Sequence, residues 1–543
     1  MKISRILLPL TVFSVCCMAG ATAVASGRPA LVVNIVAGGV PYDFVTRYGH
    51  NLSDDGIRRF MDKGLVFTAG RYEYMPTNQA SSLATITTGT YPYVHGVVGS
   101  EWYDIQSGRR VSLIDDPQAS GLDCEYEEER YSYVNLVAPT LGDRLRKEVP
   151  RSKVVTVAAD PLSAVTLGGF GSQVYWFDTA RASWVSSSKY MLYLPGWVVN
   201  FNAQYKNNTY LHDWFWAPHL LSGDYVNRRC EVLRPHGDES FRTLEDIGDC
   251  EAVVAPGRYE HVLATPLIDD LVSDFVQQAV VQEKLGTDEY PDLLNVCFDG
   301  MRKVIRRYGP ESVEAEDMFY HLDRTLASLM RFVESQCPEG SVLFVFTSDH
   351  GTSEAFDVPA IARERFNDVQ FEAIINSFLC ARYGGDRWVT GYHNRRVYID
   401  RAKALAEGLD IENVQRLTSD FAIQFRGLSR VVPSCDLKGG SAGDSYMQKL
   451  RNGYYPKRSG DLLVDLVPDM IEEEPGVRSM TGSGYDYDTH VPLMMTGCGI
   501  AHGEITAPVD MASLPVTLAY ILGIQRPDAA TAEPFDGIYE YLK

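Results

Sequence analysis

An apolar run, Val342-Leu343-Phe344-Val345-Phe346, leads without a break into Thr347-Ser348-Asp349-His350-Gly351. Carboxylate and imidazole are the oxygen and nitrogen donors of hydrolytic zinc, and open α/β sheets place their chemistry at strand ends. A catalytic metal takes about three donors from the protein, so Asp349 and His350 need a partner from elsewhere in the chain. The pair also reads without any metal. An aspartate at a strand end accepts backbone N–H groups from the turn that follows, and Gly351 lets the chain turn.

A second group lies at Pro76-Thr77-Asn78-Gln79, where a helical stretch opens and runs to Ile86. Thr77 suits the N-cap. Free N–H groups and the helix dipole make Thr77, Asn78 and Gln79 candidates for holding an anion such as phosphate, although a well-capped helix needs no ligand. Arg302, Lys303, Arg306 and Arg307 form a basic cluster just after Asp299, fit to pair with Asp299 or Asp349. His95 and His490 read as hydrogen-bonded structural histidines.

These groups need a frame. The runs Leu31–Val36, Val154–Ala158, Leu293–Phe298, Val342–Phe346 and Val491–Met495 alternate with helical patterns such as Asp54–Lys63 and Ser312–Val333. That alternation predicts an α/β fold, a mainly parallel sheet sandwiched by helices. The rhythm breaks over residues 173–263, an aromatic segment with Trp214-Phe215-Trp216 that reads as a cap. It breaks again over 387–457, which reads as a small β-α-β subdomain. The cap's rings suit either a partner surface or packing onto the core.

Residues 1–25 carry Lys2 and Arg5, an apolar stretch and Ala23-Val24-Ala25, the pattern of a cleaved signal peptide. The domain proper is then 26–543, periplasmic or otherwise exported. Val15 argues against a lipid anchor at Cys16, and no other segment approaches the ~20 apolar residues of a membrane span. The whole chain carries a net charge of −21, and loss of Lys2 and Arg5 makes it −23. So acidic a chain disfavours nucleic acid as a partner. Cys230 and Cys250 sit in a polar region where an exported chain could bridge them.

Several segments together resemble the alkaline phosphatase superfamily. They are Pro76-Thr77, Thr88-Gly89-Thr90-Tyr91-Pro92, His95-Gly96-Val97-Val98-Gly99, Trp102-Tyr103-Asp104, Ser348-Asp349-His350-Gly351, Lys457-Arg458-Ser459-Gly460-Asp461 and Tyr485-Asp486-Tyr487-Asp488-Thr489-His490. The branch they resemble is the bacterial exported phosphate-monoester phosphatases with a threonine nucleophile. That resemblance implies a two-zinc centre, and this chain departs from its pattern at most positions. Gly38 stands where the first strand should end in a zinc-binding aspartate, Gln79 at the nucleophile, and Ser100 at a phosphate-binding asparagine. Asp160-Pro161-Leu162 replaces a lysine and arginine clamp, Arg306 a metal histidine, and Thr481 the last metal histidine. Asp349 and His350 match, with Asp299 a third remnant.

Loss of nucleophile, clamp and ligands together predicts a catalytically inactive protein of the bacterial envelope. It would be a binding, scaffolding or accessory subunit with an unidentified protein partner. No cofactor is expected on this reading, with residual zinc or magnesium at Asp349, His350 and Asp299 left open. The alternative is an active metal-dependent phosphomonoesterase or phosphodiesterase with a rearranged metal site, a phosphoric ester hydrolase.

Overall fold

The computed structural model describes residues 27–124, 129–206, 215–221, 223–231, 242–243, 259–354, 365–438 and 444–543. The expected signal segment 1–25, and Cys250 with its expected bridge, lie outside the described residues. A ten-stranded sheet runs through the molecule, built from β1 (Leu31–Ala37), β2 (Leu65–Phe67), β3 (Gly121–Leu122), β4 (Val154–Ala158), β5 (Gln173–Asp178), β6 (Ser183–Ser187), β7 (Asp292–Phe298), β8 (Val342–Thr347), β9 (Leu493–Gly497) and β10 (Gly503–Ile505). The spatial order is β10-β2-β9-β8-β1-β7-β4-β5-β6-β3. Neighbours from β8 through β5 are parallel, and β9 and β6 flank them antiparallel.

The expected strands form because their runs are apolar on both faces, as a sheet covered by helices on each side demands. Every residue of β1, β4, β7 and β8 is buried. Polar groups interrupt the core at one level. Asn34, Asn295 and Thr156 stand side by side in register on β1, β7 and β4. The Asn34 amide donates to Asn295 at 3.1 Å, Asn295 donates to the Thr156 hydroxyl at 3.3 Å, and Thr156 meets Ser172 at 2.9 Å.

The aromatic segment begins differently from expectation. Gln173–Asp178 and Ser183–Ser187 continue the main sheet as β5 and β6. Trp216 is fully buried, so at this ring packing wins over a partner surface. It is held by Asp317 on the helix Val313–Gln336, whose inward acids bind the backbone of the segments around them. The subdomain expected at 387–457 contains a four-stranded sheet of Val389–His393, Arg396–Ile399, Leu462–Leu466 and Leu428–Pro433, with its own apolar core, so its last strand falls beyond the expected end.

Four helices matter for the site. α1 (Gln79–Thr88) is capped by Asn78, whose side chain accepts from the Ser81 N–H at 3.0 Å, and it ends at Gly89 with φ +75°. The cap is therefore one residue later than expected, because Asn caps as well as Thr. Thr77 instead turns its hydroxyl to the Tyr74 carbonyl. α2 (Pro161–Gly168) is capped by Asp160, with Pro161 in the first turn. α3 (Gly300–Tyr308) follows Asp299 directly, and α4 (Val313–Gln336) is capped by Ser312.

His95 packs against α1 with both ring nitrogens used. Nδ1 accepts from the Val97 N–H at 3.1 Å, so Nε2 carries the proton and donates to the Thr85 hydroxyl at 3.2 Å. Burial first, and then Arg458, push its pKa down to about 3. The unfolded chain binds this proton near pH 6.5 and the folded chain does not. Stability from His95 is therefore full above about pH 6.5 and drains as pH falls towards 3, by about 1.4 kcal/mol per pH unit. Urea midpoints measured across that window should fall in the native chain and stay flatter in His95→Asn. His490, likewise structural, stacks on Tyr42 and bonds the Thr68 carbonyl at 2.9 Å.

Candidate active site

The carboxyl ends of β1, β4, β7 and β8 converge beneath a cleft of about 610 Å³. Its lining includes Asn78, Gln79, Ser100, Arg302, Lys303 and His350, with Glu472, Glu473 and Glu474 on one side. Thr77 is buried away from it. The expected anion site thus keeps Asn78 and Gln79 and loses Thr77.

Arg302 forms the centre. One helical turn beyond Asp299, its Nη1 donates to Asp299 Oδ1 at 2.7 Å, while Nη2 donates to Asp349 Oδ2 at 2.5 Å. Asp349 also accepts the Gly39 N–H at 2.8 Å. That N–H comes from the end of β1, not from the turn after Asp349 as expected. Burial opposes charge on Asp349, but Arg302 and then His350 outweigh it and hold the carboxyl below its usual range. Burial raises Asp299, which Arg302 counters in part and Asp160 reinforces. Arg302 stays charged, since Asp349 and Asp299 offset the burial that opposes it.

Gly38 makes this possible. A Cβ there would stand 2.5 Å from Arg302 Nη2 and 2.8 Å from Cζ. Gly39 lies in the left-handed region at φ +75°, against the Arg302 backbone. Glycine at the end of β1 is thus the space in which the guanidinium rests.

The network continues sideways. Asp299 accepts from the Asp160 N–H at 3.0 Å and from the Ser163 hydroxyl at 2.7 Å. The Gln79 amide donates to Ser163 at 2.9 Å and to Asp160 at 3.1 Å. Lys303 stands 3.9 Å from Asp160. Asp160, which stands where the resemblance puts a cationic clamp, is committed to capping α2 and to Gln79 and Lys303. Ser163 went unnoticed in the sequence; its one signal is its place a turn after the capping Asp160. Arg306 pairs with Glu474 at the rim, and Thr481 donates to the Thr77 carbonyl.

His350 lines the cleft beside this network. Its Nδ1–H donates to the Gly351 carbonyl at 2.7 Å, and Nε2 lies 3.7 Å from Asp349. Burial lowers its pKa, which favours the neutral ring. As placed, the residues do not fit a divalent ion. Among the described residues no three His, Cys, Asp or Glu side chains gather to hold one, and both candidate carboxylates are spent on Arg302. Asp299 and Asp349 meet through Arg302, and His350 lies beside Asp349 alone, so the expected metal candidates are arranged around a guanidinium.

Fold and cleft define a member of the alkaline phosphatase superfamily. More narrowly, the chain belongs to the type I phosphodiesterase / nucleotide pyrophosphatase family, whose model matches residues 32–469. It is 26% identical to the alkaline phosphatase PhoV of Synechococcus elongatus over 93% of this chain and 92% of that one. It is also 26% identical to the alkaline phosphatase PafA of Elizabethkingia meningoseptica, over 93% and 94% of the two chains. The crystal structure of wild-type alkaline phosphatase PafA superposes with a TM-score of 0.87 at 25% identity, covering 96% of this chain and all of that one.

These relatives correct the expectation of a catalytically inactive subunit. PhoV and PafA, each matched over more than nine-tenths of this chain, are named alkaline phosphatases, which favours an enzyme. Counting lost side chains against one scheme misled because it ignored what the replacements do together. Arg302, Gly38, Gln79 and Asp160 form one connected, charged site rather than scattered losses. Among the described residues no helix is long and apolar enough to cross a membrane.

Proposed function

We propose that the chain is a phosphoric ester hydrolase working in the cleft at the ends of β1, β4, β7 and β8. The observation that carries this is the near full-length likeness to named alkaline phosphatases, with the cleft lying over the sheet's strand ends. Lys303 lines the cleft with its ammonium 3.9 Å from Asp160, and supplies positive charge that attracts a phosphoryl group. Gln79 carries an amide and cannot attack phosphorus. His350, with Nδ1 committed to Gly351, keeps Nε2 to take a proton from water. The water oxygen then bonds to phosphorus, the P–O bond to the leaving group breaks, and the proton passes to the departing oxygen. The export pattern of residues 1–25 supports an activity outside the cytoplasm.

The test is phosphate release by the purified chain from p-nitrophenyl phosphate, and nitrophenol release from its diester, with and without added zinc, magnesium or manganese. Turnover should lie well above buffer and fall at least about 100-fold in His350→Ala, the usual size of a general base's contribution. A folded chain giving no release under any of these conditions would overturn the reading.

A further inference from the structure

We infer that Arg302 is a tethered cation occupying the place of a divalent ion, so that the native centre takes up no metal. This goes beyond the hydrolase reading and does not need it. Hydrolysis seen only with added zinc would leave that reading standing and sink this one.

Three observations carry the inference. The guanidinium bridges carboxylates from two different strand ends at 2.7 and 2.5 Å, the bridging role a cation would fill between Asp299 and Asp349. It does so inside the protein, since Arg302 is only 8% exposed. Its seat is shaped for it: any side chain at position 38 would collide with Nη2 and Cζ, and Gly39 lies against Cα, Cβ and Cγ of the same residue. A side chain at position 38 would therefore displace the guanidinium from where it now rests, so glycine at 38 and arginine at 302 fit together. A second cation placed between Asp299 and Asp349 would meet like charge at close range in a poorly solvated site. Arginine cannot be deprotonated to make way, so the exclusion holds at any pH the fold survives.

The experiment measures metal content and thermal stability, not turnover. Wild-type protein is incubated with excess zinc, desalted and analysed by elemental mass spectrometry. It should retain under about a tenth of an equivalent, with Tm unmoved by zinc, because the centre around Arg302 does not bind the ion. The double variant Gly38→Asp, Arg302→Ala supplies a carboxylate on β1 and frees Asp299 and Asp349 beside His350. It should retain about one zinc per chain and gain Tm when zinc is added. Where that variant does not fold, Arg302→Asn removes the charge alone and should gain zinc over wild type. Stoichiometric zinc in the wild type would overturn the inference. So would a folded double variant that takes up none, since Arg302 would then not be what excludes the ion.

Discussion

Truncating Arg302 to alanine is expected to destabilise the folded chain by about 3–5 kcal/mol, the usual cost of stranding a buried charge. Asp299 and Asp349 would be left facing each other without their shared partner, and each is nearly inaccessible to water. Burial already pushes Asp299 towards the neutral acid, so in Arg302→Ala protonation should relieve part of the cost below neutral pH. Lysine should restore little, because one ammonium cannot span two carboxylates as a planar fork does. Adding Asp299→Asn and Asp349→Asn to Arg302→Ala should recover part of the loss by removing both charges. Urea unfolding of the set checks this; an alanine variant within about 1 kcal/mol of wild type would mean the triad contributes no more than an exposed ion pair.

The second large effect is expected at Asp317 on α4. Its carboxylate accepts from Trp216 Nε1 at 2.6 Å and the His219 N–H at 2.5 Å, and it also binds the Tyr225 hydroxyl. His321 stands 3.3 Å away, one turn along the helix. The neighbouring acids do the same work: Glu316 accepts the Val226 and Asn227 N–H groups, and Asp323 those of Ser53 and Ile57. Asp317→Ala leaves several buried donors unmatched, at about 1–3 kcal/mol each. Hydrogen exchange over residues 215–227 should accelerate far more than exchange in β1 or β8. Unchanged protection there would show that Trp216 is held by apolar packing alone.

How much of this was legible beforehand differs by level. β1, β4, β7 and β8 were readable because parallel strands covered on both faces must be continuously apolar. The direction of β9 was not, since an apolar run carries no sign of which way its neighbour runs. Asp349 and His350 stood out as a polar pair ending such a run. Asp299 and Arg302 are three apart, a helical spacing that means contact only once the helix is known to start at Gly300. Gly38 looked like a missing ligand, because a sequence shows an absent side chain but not the neighbour that fills its volume. The cap of α1 slipped by one residue where Thr77 and Asn78, both good caps, compete.

The row of Asn34, Asn295 and Thr156 has a consequence for how the sheet assembles. Without Asn34 and Asn295, the aliphatic stretches of β1 and β7 could pair one residue out of step with little penalty, since valine, leucine and isoleucine exchange places readily. A slipped pairing would set the Asn34 amide against Leu294 or Val296. Its hydrogen bond would then go unmade inside the protein, at about 1–3 kcal/mol for each stranded group. The three side chains thus act as a key cut into otherwise interchangeable strands, rejecting misaligned assemblies before the helices close over them.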